Sequence, residues 1–207
     1  MEEKKLSEKE SLELISQMIR STREGLRIGA GNTFLYYGYF TVALSVLIFI
    51  LTFYTGNRVW NMGWFLMFVF WGIMELKHRR EAKKEVVVTY TDTVLAKVWW
   101  IIGWLFLATI LVMGAVTAIH GQGNFSLMLP LSLLYAAIGT SITGIIIKES
   151  CVMYSPLVAF VFAIYMLMQY TFQESFTNDW YLYFGLSFFV MMVIPGHILN
   201  KKAKRSC

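Results

Sequence analysis

Glu75, Lys97 and His197 are the residues of this chain best placed to do chemistry: each is ionisable, and each lies at the edge of a long apolar stretch. A carboxylate, an ammonium and an imidazole at the mouth of a membrane bundle are the groups of a proton relay or an ion gate, because charge at membrane depth is costly and is kept where it works. Their shallow depth favours something plainer. Glu75 closes the second apolar stretch and Lys97 opens the third. The two are expected to pair across the 77–93 connection as a structural ion pair, with the Lys97 ammonium reaching to water; a proton or ion gate is the alternative. His197 follows Pro195-Gly196, a sequence that breaks or kinks the last helical turn. A kink that aims the imidazole inward competes with a histidine at the interface.

Most other chemistry has no residues to carry it. His78, His120 and His197 cannot share one metal, since His120 falls on the opposite side of the membrane from the other two, and no HExxH-like spacing supports zinc. Gly-x-Ser-x-Gly, the P-loop and the dinucleotide fingerprint are all missing. Neither an enzyme activity nor a cofactor is expected. Cys151 and Cys207 lack CxxC spacing, and Cys207, as the last residue, cannot head a CaaX box. Both map to the reducing side, so no structural disulfide is expected.

The elements that must position these residues are six apolar stretches, at about 33–54, 59–76, 94–119, 126–147, 153–172 and 178–199, in a chain of 207 residues that is 57% hydrophobic. Each is long enough to cross a hydrocarbon core about 30 Å thick as a helix. Segments this apolar must be helical, because an open sheet edge in lipid leaves backbone groups unpaired. The fold class is therefore all-α: a bundle of six transmembrane helices preceded by a cytoplasmic amphipathic helix. The chain divides into an arm and hinge (1–32), a six-helix domain (33–199) and a basic tail (200–207). No cleavable signal peptide is expected, since the first 32 residues are highly charged and no A-x-A site follows.

Charge orients the bundle. Seventeen of the eighteen Lys and Arg residues fall on one side, leaving Arg58 alone on the other. Short basic connections stay cytoplasmic, so both termini are expected inside. The opposite connections, near 55–58, 120–125 and 173–177, are short and imply three antiparallel hairpins. The net charge of +5 borders the spans and suits anionic headgroups rather than nucleic acid, for which no recognition fold is present.

Two surfaces could serve recognition. The arm opens with a capping box at Ser7 and Glu10, after which Leu12, Ile15, Met18, Ile19, Thr22 and Leu26 fall on one helical face. Leu12, Ile15 and Ile19 would form a docking face for a cytoplasmic partner; a helix lying on the headgroups is the plainer reading. Gly29-Ala30-Gly31 is expected to hinge the arm to the first span, with Asn32 or Thr33 capping it. The second surface is on the fourth stretch. Ala136, Thr140 and Gly144 recur every four residues and form a packing face, either within the bundle centre or in a homo-oligomer. Leu133 is read as facing lipid. Related endings at 72–77, 144–148 and 195–201 suggest three hairpin units in parallel orientation.

The arm Ser7-Glu-Lys-Glu-Ser-Leu-Glu-Leu-Ile-Ser-Gln-Met-Ile19 and the stretch from Leu134 to Lys148 resemble an uncharacterised family of small bacterial polytopic inner-membrane proteins. The resemblance implies a charged leader followed by helical hairpins, and a bacterial inner-membrane location. It transfers no functional residues. The functional expectation is an accessory, sensory or scaffold component acting through its cytoplasmic face, with a small-solute transporter or channel as the alternative.

Overall fold

A computed structural model describes residues 30–82, 90–121, 125–172 and 177–205, and the elements in them are all helical. Six helices are long and apolar enough to cross a membrane: span 1 (Gly31–Thr55), span 2 (Val59–Lys77), span 3 (Thr91–His120), span 4 (Met128–Ile146), span 5 (Ser150–Thr171) and span 6 (Asp179–Arg205). The amphipathic arm lies outside the described residues.

The ends of the spans differ from the sequence expectation for local reasons. Span 1 lies within α1 (Ala30–Thr55), already helical at Ala30, so neither Asn32 nor Thr33 sits at a cap position. Span 2 opens as a 3-10 helix (Arg58–Phe65), with Asn57 Oδ1 accepting the Val59 N–H at 2.9 Å, and continues as α2 (Leu66–Ala82). Span 3 is α3 (Tyr90–His120) and span 4 is α4 (Met128–Ile146). Span 5 comprises α5 (Ser150–Tyr154) and α6 (Pro156–Thr171).

Span 6 is not broken at Pro195-Gly196. It runs as α7 (Asp179–Phe188), a π-helical turn (Phe189–Val193) and α8 (Ile194–Arg205), so the tail expected from residue 200 is still helix. Proline has no N–H to give to the carbonyl four residues back. Here the chain widens ahead of it, with the Ile194 N–H bonded to Phe189 O, and the Ser155 hydroxyl of span 5 donates to Met191 O at 3.4 Å. A neighbouring hydroxyl thus supports a carbonyl that the proline leaves short, the usual remedy in a medium without water.

Packing follows the order 2–1–6–5–4–3, with span 6 also reaching span 4. The span 1–span 6 seam is the tightest long-range contact. Gly31, Gly38, Ser45 and Thr52 recur every seven residues and are all buried. A Cβ on Gly31 would stand 2.3 Å from Gly196 O, and one on Gly38 would stand 2.8 Å from the Val193 side chain. Further along, the Ser45 hydroxyl donates to the Tyr181 carbonyl. Residue numbers climb on span 1 as they fall on span 6, so the two run antiparallel. The described chain ends therefore meet at one end of the bundle.

Span 4 is the other dense region. Trp99 Nε1 of span 3 donates to Thr143 Oγ1 at 3.2 Å, Ile102 fills the space at Gly139, and Thr109 Oγ1 lies 2.9 Å from the Tyr135 hydroxyl. Burial divides the molecule: over their most apolar 18 residues, half of span 4 and 56% of span 6 are fully buried, against 6% of span 3 and no residue of span 2.

Candidate functional site

The three ionisable candidates are carried on separate helices. Glu75 is half-buried on α2, Lys97 is exposed on α3, and His197 is exposed on α8. Their helices pack on different partners: α2 meets span 1 through Phe70, stacked on Phe40 at 4.0 Å, α3 packs on span 4, and α8 packs on span 1. The cation that meets an aromatic ring here is Lys77, whose Nζ lies 4.6 Å from the Tyr36 ring centroid. His197 does not turn into the bundle. Its Nε2 lies 2.8 Å from the Tyr39 hydroxyl, on the exposed side of the span 1–span 6 seam. The helix continues through Pro195 with a π turn before it, and the imidazole stays on the outer face.

Ala136, Thr140 and Gly144 are all buried, and each expected face residue lies inside the bundle. The close approach at Gly144 is made by the chain's own next turn. Ile147 N–H returns to Thr143 O and Glu149 N–H to Gly144 O, while Lys148 takes the left-handed conformation at φ 57°. This wraps the last carbonyls of α4 in the manner of a Schellman close, with lysine where glycine is usual. The wrap brings Val152 and Met153 over the helix end; a Cβ on Gly144 would stand 2.3 Å from Met153 N. Span 5 supplies its own small residues to the same core, Ala159 and Ala163, four apart and fully buried.

Leu133 corrects the sequence reading. It lies seven residues before Thr140 and eleven before Gly144, so it shares their stripe and is fully buried rather than lipid-facing. The docking residues Leu12, Ile15 and Ile19 fall outside the described residues, as does Cys207; Cys151 is a half-buried free thiol.

Several polar contacts at the ends of the bundle go beyond what the sequence suggests. Asn200 accepts the Gly31 N–H at 3.1 Å and donates to Asn32 Oδ1 at 2.7 Å, tying span 6 to the start of span 1. Lys202 pairs with Glu149, joining α8 to the turn between spans 4 and 5. At the opposite end the Tyr181 hydroxyl donates to Asn61 Oδ1, and Trp180 Nε1 donates to Gln169 Oε1 at 2.8 Å. The seven-residue recurrence of Gly31, Gly38, Ser45 and Thr52 is the sequence signal that could have found this seam. Among the described residues, no group of three or more His, Cys, Asp or Glu is placed to hold a metal.

No protein-family model matches the chain, and no curated protein or solved structure matches it either.

Proposed function

We propose that this is a multi-pass protein of the bacterial cytoplasmic membrane. In this reading three antiparallel hairpins place both termini in the cytoplasm, and the chain acts as an accessory, sensory or scaffold component through its cytoplasmic face. The basic rim meets anionic headgroups, and nucleic acid is not a partner. The observation that supports a non-transporting role is how the buried polar groups are used. Those groups are Thr41, Ser45, Thr52, Thr140, Thr143 and Ser187, none of them ionisable. Five donate to backbone carbonyls: Thr41 to Tyr37 O, Ser45 to Tyr181 O, Thr52 to Ile48 O, Thr143 to Gly139 O and Ser187 to Tyr183 O. A permeation path needs polar or charged groups that can exchange partners with a solute. Hydroxyls committed to backbone carbonyls are poor candidates.

Affinity purification of the tagged chain in mild detergent, beside flux measurements in proteoliposomes, tests this. A protein that co-purifies with the native chain and is lost when Leu12, Ile15 and Ile19 are all changed to Ser supports cytoplasmic docking. Solute or ion flux through the purified protein overturns it in favour of the transporter reading. Orientation is tested separately: cysteines introduced at Asn57, Gln122 and Gln173 should react with an impermeant reagent in intact cells, and Cys207 should not.

A further inference from the structure

The Tyr39–His197 pair is a polar contact on a surface that is otherwise apolar. Tyr39 is half-exposed and His197 exposed, while their neighbours on the outer face, Val46, Leu47 and Ile194, are hydrophobic. The pair holds at least two transferable hydrogens, the phenol O–H and one imidazole N–H. The 2.8 Å contact uses one of them. Whichever tautomer is present, one donor remains unused on the open face. An unmet donor in hydrocarbon is costly, so its covering group must be a polar acceptor.

The surroundings say which acceptor. His197 falls at the end of the apolar part of span 6, with Lys201, Lys202, Lys204 and Arg205 following it, which places it at the edge of a hydrocarbon core in the membrane reading. Lys201 is one turn further along the same helix and exposed, at headgroup level. On the other flank, Tyr36 lies one turn before Tyr39 on span 1 and carries Lys77 of span 2 over its ring at 4.6 Å. Span 1 thus presents an exposed strip with a cation on each side and a spare donor one turn below them.

We infer that this strip is a binding site for an anionic phospholipid, its phosphate between Lys77 and Lys201 and its glycerol-ester oxygens taking the donor of the Tyr39–His197 pair. The inference rests on the proposal that this end of the bundle lies at a lipid headgroup layer, but not on which side of the cell it faces.

The test is thermal unfolding of the purified full chain in detergent, titrated with phosphatidylglycerol, phosphatidylcholine or soluble glycerol-3-phosphate. Phosphatidylglycerol should raise the unfolding temperature and the other two should not. The Lys77→Gln/Lys201→Gln double variant should weaken apparent phosphatidylglycerol affinity about thirtyfold, two basic contacts at roughly 1 kcal/mol each. Lys204→Gln/Arg205→Gln, which removes as much charge from the same helix, should weaken affinity clearly less, since neither residue belongs to the strip. His197→Leu with Tyr39→Phe removes the spare donor and should narrow the preference for phosphatidylglycerol over an anionic detergent lacking ester groups. Equal losses in the two charge variants would show general surface attraction and overturn the site. An equal response to glycerol-3-phosphate would show that the strip takes free phosphate rather than lipid. Because the measurement is made in detergent, a failed orientation assay in cells leaves it interpretable.

Discussion

Glycines on the two sides of this molecule have opposite surroundings. On spans 1, 4 and 6, a Cβ added at Gly31, Gly38, Gly139, Gly144, Gly185 or Gly196 would meet a neighbour at 3.1 Å or less. On spans 2 and 3, one added at Gly72, Gly103 or Gly114 would meet nothing within 4 Å, and one at Gly63 would meet only the Ile48 side chain, at 3.3 Å. The same residue type marks the closest backbone approach in one half and open surface in the other. Membrane helices associate through close packing rather than a hydrophobic force, since lipid tails are as apolar as leucine. Glycine therefore stabilises only where a backbone or side chain fills the space it leaves. Spans 1, 4, 5 and 6 form the packed body, and spans 2 and 3 flank it at the two ends of the order.

The sharpest way to break that contrast is to add bulk on each side. Gly144→Leu drives a side chain into the Met153 backbone, which cannot rotate away as a side chain would. Overpacking costs about 1–3 kcal/mol in ordinary cores, and a backbone obstacle should exceed that range. We expect thermal unfolding in detergent to show a large loss of stability or no folded protein. Gly103→Leu should unfold within a degree or two of the native chain. Equal losses would remove the distinction between the two sides.

Truncation sharpens the same contrast from the other direction. Leu133 is fully buried and Leu111 on span 3 is 64% exposed. Leu→Ala in a water-soluble core costs about 2–5 kcal/mol, made of a transfer term and a cavity term. In a membrane the transfer term shrinks, so Leu133→Ala should cost about 2 kcal/mol, the low end of that range. Leu111→Ala should stay within about 0.5 kcal/mol. Chemical unfolding in mixed micelles measures both.

The number and approximate bounds of the spans were legible because an apolar run of this length has one solution in lipid. Which spans lie inside was not. A water-soluble helix declares its buried face by alternating apolar and polar sides, but span 3 is as apolar on its exposed face as span 4 is on its buried one. Small residues were the remaining signal, and they were read on one helix only. The Ala136, Thr140 and Gly144 face is buried as expected, yet the backbone against Gly144 belongs to the adjoining turn, which no periodicity announces. The span 1–span 6 seam had an equally clear mark in Gly31, Gly38, Ser45 and Thr52. His197 and Pro195 show a different limit. A proline predicts a disturbed helix, but whether the disturbance is a break or a π turn depends on the donors a neighbouring span offers.

Asn200 tests the end of the seam where the two described chain termini meet. Its amide accepts from Gly31 N–H and donates to Asn32. Asn200→Leu removes both bonds while keeping the branched, four-heavy-atom shape of the side chain. Interhelical hydrogen bonds in membranes are worth about 0.6 kcal/mol on average, so the two together should cost about 1 kcal/mol. Asn32→Ala removes only the second and should cost about half as much. If the two substitutions cost the same, the bond to the Gly31 backbone contributes nothing.

The smallest effect is expected at Thr140, where burial and bonding part company. Its side chain is fully buried, and its hydroxyl has no hydrogen-bond partner among the described residues, unlike the other five buried hydroxyls. An unpaired buried hydroxyl is a cost that the folded state carries, and replacing it with a group of the same shape removes that cost. Thr140→Val keeps the β-branch and the packing against its neighbours, so stability should be unchanged or higher by up to about 1 kcal/mol. Thr143→Val is the matched control four helical positions from Gly139: its hydroxyl donates to Gly139 O and accepts from Trp99 Nε1, so the same exchange should destabilise by about 1 kcal/mol. Opposite signs for two threonines three residues apart on one helix would show that the centre of span 4 is held by shape at one position and by a bond at the next. A loss at Thr140 equal to that at Thr143 would mean its hydroxyl does hold a partner, and the packed body would be less dry than the described residues make it.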